Sequence, residues 1–217
     1  MIMGELTASS ELGADWVSKT YFTSDTHFDH NGILKWQPWS RPFDDTEEMD
    51  EVIIANWNNT IGADDIVFFL GDLTLGEKGI GYLEKLNGII YALYIPTHHD
   101  RHWMPRPPMP DIRSKSMHSV RFFIENTMIH AGRIGADSDR EVRITLGHYP
   151  LYEWNGSYHY GQWHLHAHTH GTYESRSTHG FAFDVGMDTN DLKPVPMTTI
   201  IDLATRWESR LEKQRER

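Results

Sequence analysis

Two uninterrupted apolar runs, Ile66–Leu70 and Ile89–Ile95, place the tightest limit on what this chain folds into. Each has strand length and lacks the polar alternation of a sheet with one wet face, so each predicts a strand covered on both sides. Tyr21–Thr23 reads as an earlier short strand. Between these runs the pattern is helical. Asn31–Trp36 forms one short helix with Asn31 as its cap. Asp45 or Thr46 caps the next, in which Met49, Val52, Ile53, Asn56 and Trp57 recur at helical spacing. A third helix fits Ile80–Leu86. Strands alternating with helices argue for an α/β layer with parallel pairing. Beyond a proline-rich stretch from Arg101 to Pro110, the segments Val120–Glu125, Thr127–Ile129, Glu141–Leu146, Trp163–His166 and Phe181–Val185 are short, alternating and expected to be antiparallel. The chain of 217 residues suits one domain. We expect a loosely ordered arm over 1–18 and a single domain over 19–217, closed by a helix that starts near Thr198 or Thr199.

Polar clusters sit where these strands end. They are Asp25-Thr26-His27, Gly71-Asp72, Thr97-His98-His99-Asp100, Gly147-His148 and His166-Ala167-His168-Thr169-His170. In open α/β sheets, ligand sites form beyond the carboxyl ends of strands, so the five clusters are expected to share one crevice. Imidazole nitrogen and carboxylate oxygen without sulfur suit Mn, Fe, Zn, Co or Ni. In an extended segment residues i and i+2 face one side, so Asp25 with His27, and His168 with His170, can each reach one ion. A single Asp-x-His or Gly-Asp is common in turns; five such clusters, each directly after an apolar run, are not accounted for by turns.

Composition narrows the function classes. The chain has no cysteine, which excludes disulfides, thiolate ligands and cysteine nucleophiles and fits a reducing cytosol. Its first residues lack a basic segment followed by an apolar one, and no apolar run is long enough to cross a bilayer, so a cytoplasmic location without membrane attachment is expected. A formal charge of −11 gives little general attraction for long nucleic acid. No phosphate-binding Gly-x-x-x-x-Gly-Lys loop, His-Glu-x-x-His helix or Gly-x-Ser-x-Gly elbow is present.

The ordered set Asp-x-His, Gly-Asp, a paired-histidine segment with Asp, Gly-His and His-x-His resembles the calcineurin-like metallophosphoesterases over about Thr20–Pro196. The stretches FTSDTHFDHNGILKW, ANWNNTIGADDIVFFLGDL and FDVGMDTNDLKPV are similar to small bacterial and phage phosphoesterases. The resemblance implies an α/β fold built as a sandwich of two mixed sheets flanked by helices. It implies two divalent transition-metal ions. Asp25, His27, Asp72 and His170 would hold the first. Asp72, His148, His168 and whatever replaces the family asparagine, here His98, would hold the second. His99 would assist at the leaving group. The implied reaction is two-metal hydrolysis of a phosphoester by water activated between the ions.

Four positions depart from the family pattern. Thr97-His98 stands for Gly-Asn, Ala167 for a glycine, and Leu75 where some relatives carry an aspartate. Aromatic residues near the motifs, Trp36, Trp39, Trp103, Tyr152 and Trp154 among them, either stack on an aromatic leaving group or pack loops. Arg101 and His102 are candidate phosphate contacts. A small phosphoester, such as a nucleotide or cyclic nucleotide, is the expected substrate class. A nuclease on the same site, and a metal-binding scaffold without turnover, are the alternatives.

Overall fold

The computed structural model describes residues 2–7, 12–95, 98–104, 106, 110–134, 141–158, 162–172 and 180–215. Among these residues nine strands are named in chain order: β1 (Ile2–Thr7), β2 (Thr20–Thr23), β3 (Ile66–Phe69), β4 (Ile89–Leu93), β5 (Arg121–Arg133), β6 (Glu141–Leu146), β7 (Gln162–His166), β8 (Phe181–Asp184) and β9 (Val195–Pro196). Five α-helices accompany them: α1 (Trp16–Lys19), α2 (Asn31–Trp36), α3 (Thr46–Thr60), α4 (Gly79–Leu83) and α5 (Met197–Arg215). Asp45 caps α3 by accepting the Glu48 N–H at 2.9 Å. Helix α2 spans the expected residues, but His30 rather than Asn31 stands at its N-cap and no side chain caps it.

The strands form one curled mixed sheet in the order β8-β7-β6-β5-β4-β3-β2-β9, with β1 beside β5. The two-sheet sandwich flanked by helices expected from the sequence is therefore wrong. The cause lies in β5, which has 13 residues and serves both halves. Its residues 121–123 pair with β4 and its residues 127–133 pair with β6, so the sheet never breaks. The expectation of antiparallel strands after residue 120 also fails for most pairs. β6–β7 and β7–β8 are parallel, whereas β5–β6 and β2–β9 are antiparallel. Residues 2–7, expected in a loose arm, pair in parallel with β5.

Both faces of the central strands are buried, as their apolar runs require. Phe68 and Leu70 join Phe22, Tyr91, Leu93, Ile144, Leu146 and Leu165 in one cluster, covered by Met197, Ile200 and Ala204 of α5. Val67 and Phe69 join Ile90 and Ala92 in the other, beneath Met49, Ile53 and Trp57 of α3. The first cluster draws on strands from β2 to β8, so that face of the curled sheet packs largely on itself.

The long fifth strand also positions the polar clusters. Leu93, at the carboxyl end of β4, pairs with Phe123, and Leu146, at the carboxyl end of β6, pairs with Thr127. The two strands thus run towards each other along β5, and their ends meet around residues 124–126. Asn126 interrupts β5 there at φ 61.

Candidate metal centre

Glu125 stands at this meeting point, and both its carboxylate oxygens accept the His148 backbone N–H, at 3.1 and 3.0 Å. The turns after β2 and β3 are joined by backbone bonds, Asp25 N–H to Gly71 carbonyl at 3.0 Å and His27 N–H to Asp72 carbonyl at 3.1 Å. Asp100 holds the second turn from below. Its carboxylate accepts the N–H groups of Asp72 (2.8 Å), Leu73 (2.9 Å) and Thr74 (3.4 Å) and the indole N–H of Trp103 (2.6 Å). Burial pushes Asp100 up to about 6, against the pull of those donors, so it is ionised at neutral pH.

Asp25, His27, Asp72, His168 and His170 all adopt left-handed backbone conformations, with φ of 56°, 50°, 56°, 70° and 49°. The extended geometry expected for Asp25-x-His27 and His168-x-His170 is thus absent. The side chains converge because alternate residues are bent, not because they alternate along a strand. Non-glycine residues adopt this region at a cost, and clusters of them mark sites where surrounding structure overrides the preference.

Two groups of three result, with ligand atoms within 4.8 Å of one another: Asp25, His27 and His170; and Asp72, His148 and His168. Asp72 lies between them. Its Oδ2 is 3.7 Å from His27 Nε2, 3.4 Å from His148 Nε2 and 3.9 Å from His99 Nε2. The other ring nitrogens are committed elsewhere. His170 Nδ1 bonds Asp188 at 2.7 Å, His148 Nδ1 bonds the Leu70 carbonyl at 3.0 Å, and His27 Nδ1 meets His30 Nδ1 at 3.2 Å. That arrangement leaves each Nε2 as the inward atom. Among the described residues His27 Nε2 has no hydrogen-bond partner although it is buried. His148 Nε2 lies 3.2 Å from His168 Nδ1, so two ring nitrogens point at one place.

The electrostatics are those of a cluster that could hold a cation. Burial, with the charges of Asp72 and Asp184, pushes Asp25 up to about 7. Burial and the positive charge of Arg41 hold His27 well below the usual histidine range, so it is neutral with a lone pair available. Burial alone would lower His148, but its hydrogen bond to Asp72 and the charges of Asp25 and Asp72 raise it to about 9. An incoming cation relieves both the crowded carboxylates and the protons they attract. The donor set, the orphaned His27 nitrogen and the paired imidazoles fit divalent transition metals.

Other expected residues divide. His99 joins His27 and His30 in a third group within 4.8 Å and lies at the edge of the centre. Arg101 and His102 are exposed at the far end of the 3-10 turn His98–His102, where Arg101 Nε donates to His102 Nε2 at 2.9 Å, and neither joins the three ligand groups. Thr97 and the His98 side chain lie outside the described residues. Sequence reasoning gave no role to His30, Arg41, Glu125 or Asp188. Asp188 lies in FDVGMDTNDLKPV, and His30 in FTSDTHFDHNGILKW, so position within those segments was the available signal.

Fold and site together define a protein of one curled mixed sheet carrying a histidine–aspartate cluster that could hold a metal ion. No family model matches the chain. It is 46% identical over 87 residues to the uncharacterized protein MJ1445 of Methanocaldococcus jannaschii, a match covering 38% of this chain and 47% of that protein. The chain thus spans about half the length of that relative. It is 27% identical over 191 residues to the Gene 66 protein of Mycobacterium phage L5, covering 79% of this chain and 87% of that one. The Gene 66 protein of Mycobacterium phage D29 is 25% identical over 199 residues, with 82% and 93% covered. The solved structure of protein AQ665 from Aquifex aeolicus, of unknown function, shares the fold at a TM-score of 0.60 and 21% identity, over 85% of this chain and 98% of that one.

Proposed function

We propose that this protein is a binuclear metal-dependent hydrolase of small phosphoesters. The observation that carries the reading is the place of Asp72. One carboxylate oxygen within 4 Å of three imidazole nitrogens, at the junction of two three-residue groups, is what a bridge between two ions requires. Two bound ions would supply Lewis-acid polarisation of the phosphoryl oxygens and make water nucleophilic at neutral pH. The chain's own contribution is a rigid, buried frame. The side chains of His27, Asp72 and His148 are at most 3% exposed, whereas that of His99 is 22% exposed. His99 is therefore the more open of these histidines, and in this reading its imidazole gives a proton to the departing oxygen. The strongly acidic chain favours a small ester over a long polyanion.

The test is hydrolysis of bis(p-nitrophenyl) phosphate by metal-free protein reloaded with Mn, Fe, Zn, Co or Ni, with elemental analysis alongside. Metal-dependent turnover with close to two ions per chain is expected. Two bound ions without turnover on this or a phosphomonoester would make the protein a metal-binding scaffold. Faster digestion of single-stranded DNA than of the small diester would make it a nuclease.

A further inference from the structure

Arg41 belongs to the loop between α2 and α3, yet it is 1% exposed. Its guanidinium holds Asp188 with two parallel bonds, Nε to Oδ1 at 2.8 Å and Nη2 to Oδ2 at 2.9 Å. The same group donates to the carbonyls of Thr26 at 2.8 Å and Asp25 at 2.5 Å. Ser40 adds a hydroxyl bond to Asp188 Oδ1 at 2.5 Å. Asp188 sits on the 3-10 turn Met187–Thr189 after β8, and its Oδ2 accepts the Nδ1–H of His170 at 2.7 Å. One buried carboxylate thus ties the 40–41 loop, the turn that bears Asp25 and the ring of His170 into a single unit.

We propose that Asp188, held by Arg41 and Ser40, is the positioning residue of this centre: it fixes the tautomer and ring orientation of His170 and so sets the strength of the site formed with Asp25 and His27. The inference rests on the metal-centre part of the reading above and not on phosphoester turnover. A carboxylate that takes the Nδ1 proton leaves the lone pair on Nε2 and makes it more basic. A buried Arg–Asp pair that served stability alone adds little net, because desolvation offsets the attraction. Here the aspartate spends one oxygen on both the guanidinium and the imidazole, which a purely structural pair does not need. His27 offers the contrast within the same group, since its Nδ1 faces another imidazole, His30. Of these two imidazoles, His170 is the one with a carboxylate at its Nδ1.

Asp188→Asn separates the roles sharply. Both Asp188 oxygens accept from Arg41, so a carboxamide loses one guanidinium bond in either orientation, and no orientation restores the charge behind His170. A neutral acceptor makes Nε2 less basic, and an NH2 turned to His170 would move the proton onto Nε2, the atom needed for the metal. The experiment uses full-length chain labelled with 15N at histidine. Long-range 1H–15N spectra of the metal-free protein read the His170 tautomer, and Mn2+ titration followed by electron paramagnetic resonance reads affinity. The parent should carry its His170 proton on Nδ1. The variant should bind its first Mn2+ about 10–100-fold more weakly. Ser40→Ala, which keeps the carboxylate, should leave the tautomer unchanged. Should Asp188→Asn fail to fold, Arg41→Gln/Asp188→Asn removes both buried charges and should show the same loss of affinity. An Nε2–H tautomer in the parent, or parental tautomer and affinity in a folded variant, overturns the proposal. A parent that binds Mn2+ but hydrolyses neither a phosphodiester nor a phosphomonoester sinks the hydrolase reading and leaves this one standing.

Discussion

Replacing Asp100 by asparagine tests whether the Asp72 turn is held from below, and the cost can be worked from the bonds it makes. Asp100 Oδ1 serves Leu73, Thr74 and the Trp103 indole, and Oδ2 serves the Asp72 N–H. Asparagine has one oxygen, which the three donors on the Oδ1 side will claim. Its NH2 then faces the buried Asp72 N–H, donor against donor. A buried donor left unsatisfied costs about 1–3 kcal/mol, and loss of the negative charge weakens the surviving bonds by about 1 kcal/mol more. A total of about 2–4 kcal/mol is a large share of the roughly 5–15 kcal/mol that stabilises a domain. Urea unfolding of the metal-free protein reads that loss directly, and Mn2+ titration reads whether the loosened turn still presents Asp72. Both stability and metal affinity should fall. If asparagine leaves both unchanged, the turn is set by the Gly71–Asp72 backbone alone and the role assigned to Asp100 is wrong.

Other outcomes follow from the same geometry. His99→Ala should keep the bound metal and lower phosphodiesterase turnover about 10²–10⁴-fold, whereas loss of metal in that variant would make His99 a ligand instead. Gly186→Ala places a Cβ 2.7 Å from Asp25 Oδ2 and should weaken metal binding with little loss of fold, checked by titration and thermal unfolding. Metal binding should release protons and tighten as pH rises towards 9, because Asp25 at about 7 and His148 at about 9 must both be deprotonated to ligate; calorimetry in buffers of different ionisation enthalpy would expose its absence. Burial, with the nearby charge of His166, lowers His164 from 6.5 to about 4, so the unfolded chain binds this proton first. Stability should therefore fall by about 3 kcal/mol as pH drops from 6.5 to 4, and His164→Gln should flatten that slope in urea unfolding.

The parts of the molecule legible from sequence are those set by local pattern. Double-sided burial of β3 and β4 follows from runs such as Ile66–Leu70, and the start of α3 follows from Asp45. The clustering of Asp25, His27, Asp72, His148, His168 and His170 was legible because polar residues interrupt apolar strands only at their ends. What was not legible depends on pairings between distant segments. The single sheet hangs on β5 accepting β4 at Phe123 and β6 at Thr127, a register that no alternation within β5 reveals. Arg41 and Asp188 are 147 residues apart, and each alone looks like a solvated charge. The Asp25 and His27 turn read as extended because spacing of two is the mark of a strand; nothing local announces that both residues are bent to positive φ.

That bending explains why the site needs so much support. A left-handed backbone costs an ordinary residue about 1–2 kcal/mol, so five ligand positions together store several kcal/mol, comparable to a domain's whole stability. Aspartate, asparagine and histidine tolerate this conformation better than other non-glycine residues. The residue types that ligate metal are thus also the ones that can sit in these turns. Carboxylates that do not join the ligand groups accept backbone or ring N–H groups at the strand ends: buried Asp100 under Asp72, half-buried Glu125 under His148, and the buried side chain of Asp188 behind His170. Each supports a different strand end, and β5 brings the ends of β4 and β6 together. The consequence is a cluster shaped without an ion. Binding of the proposed ions would then have little chain entropy to overcome, and its main work would be to displace the protons on Asp25 and His148.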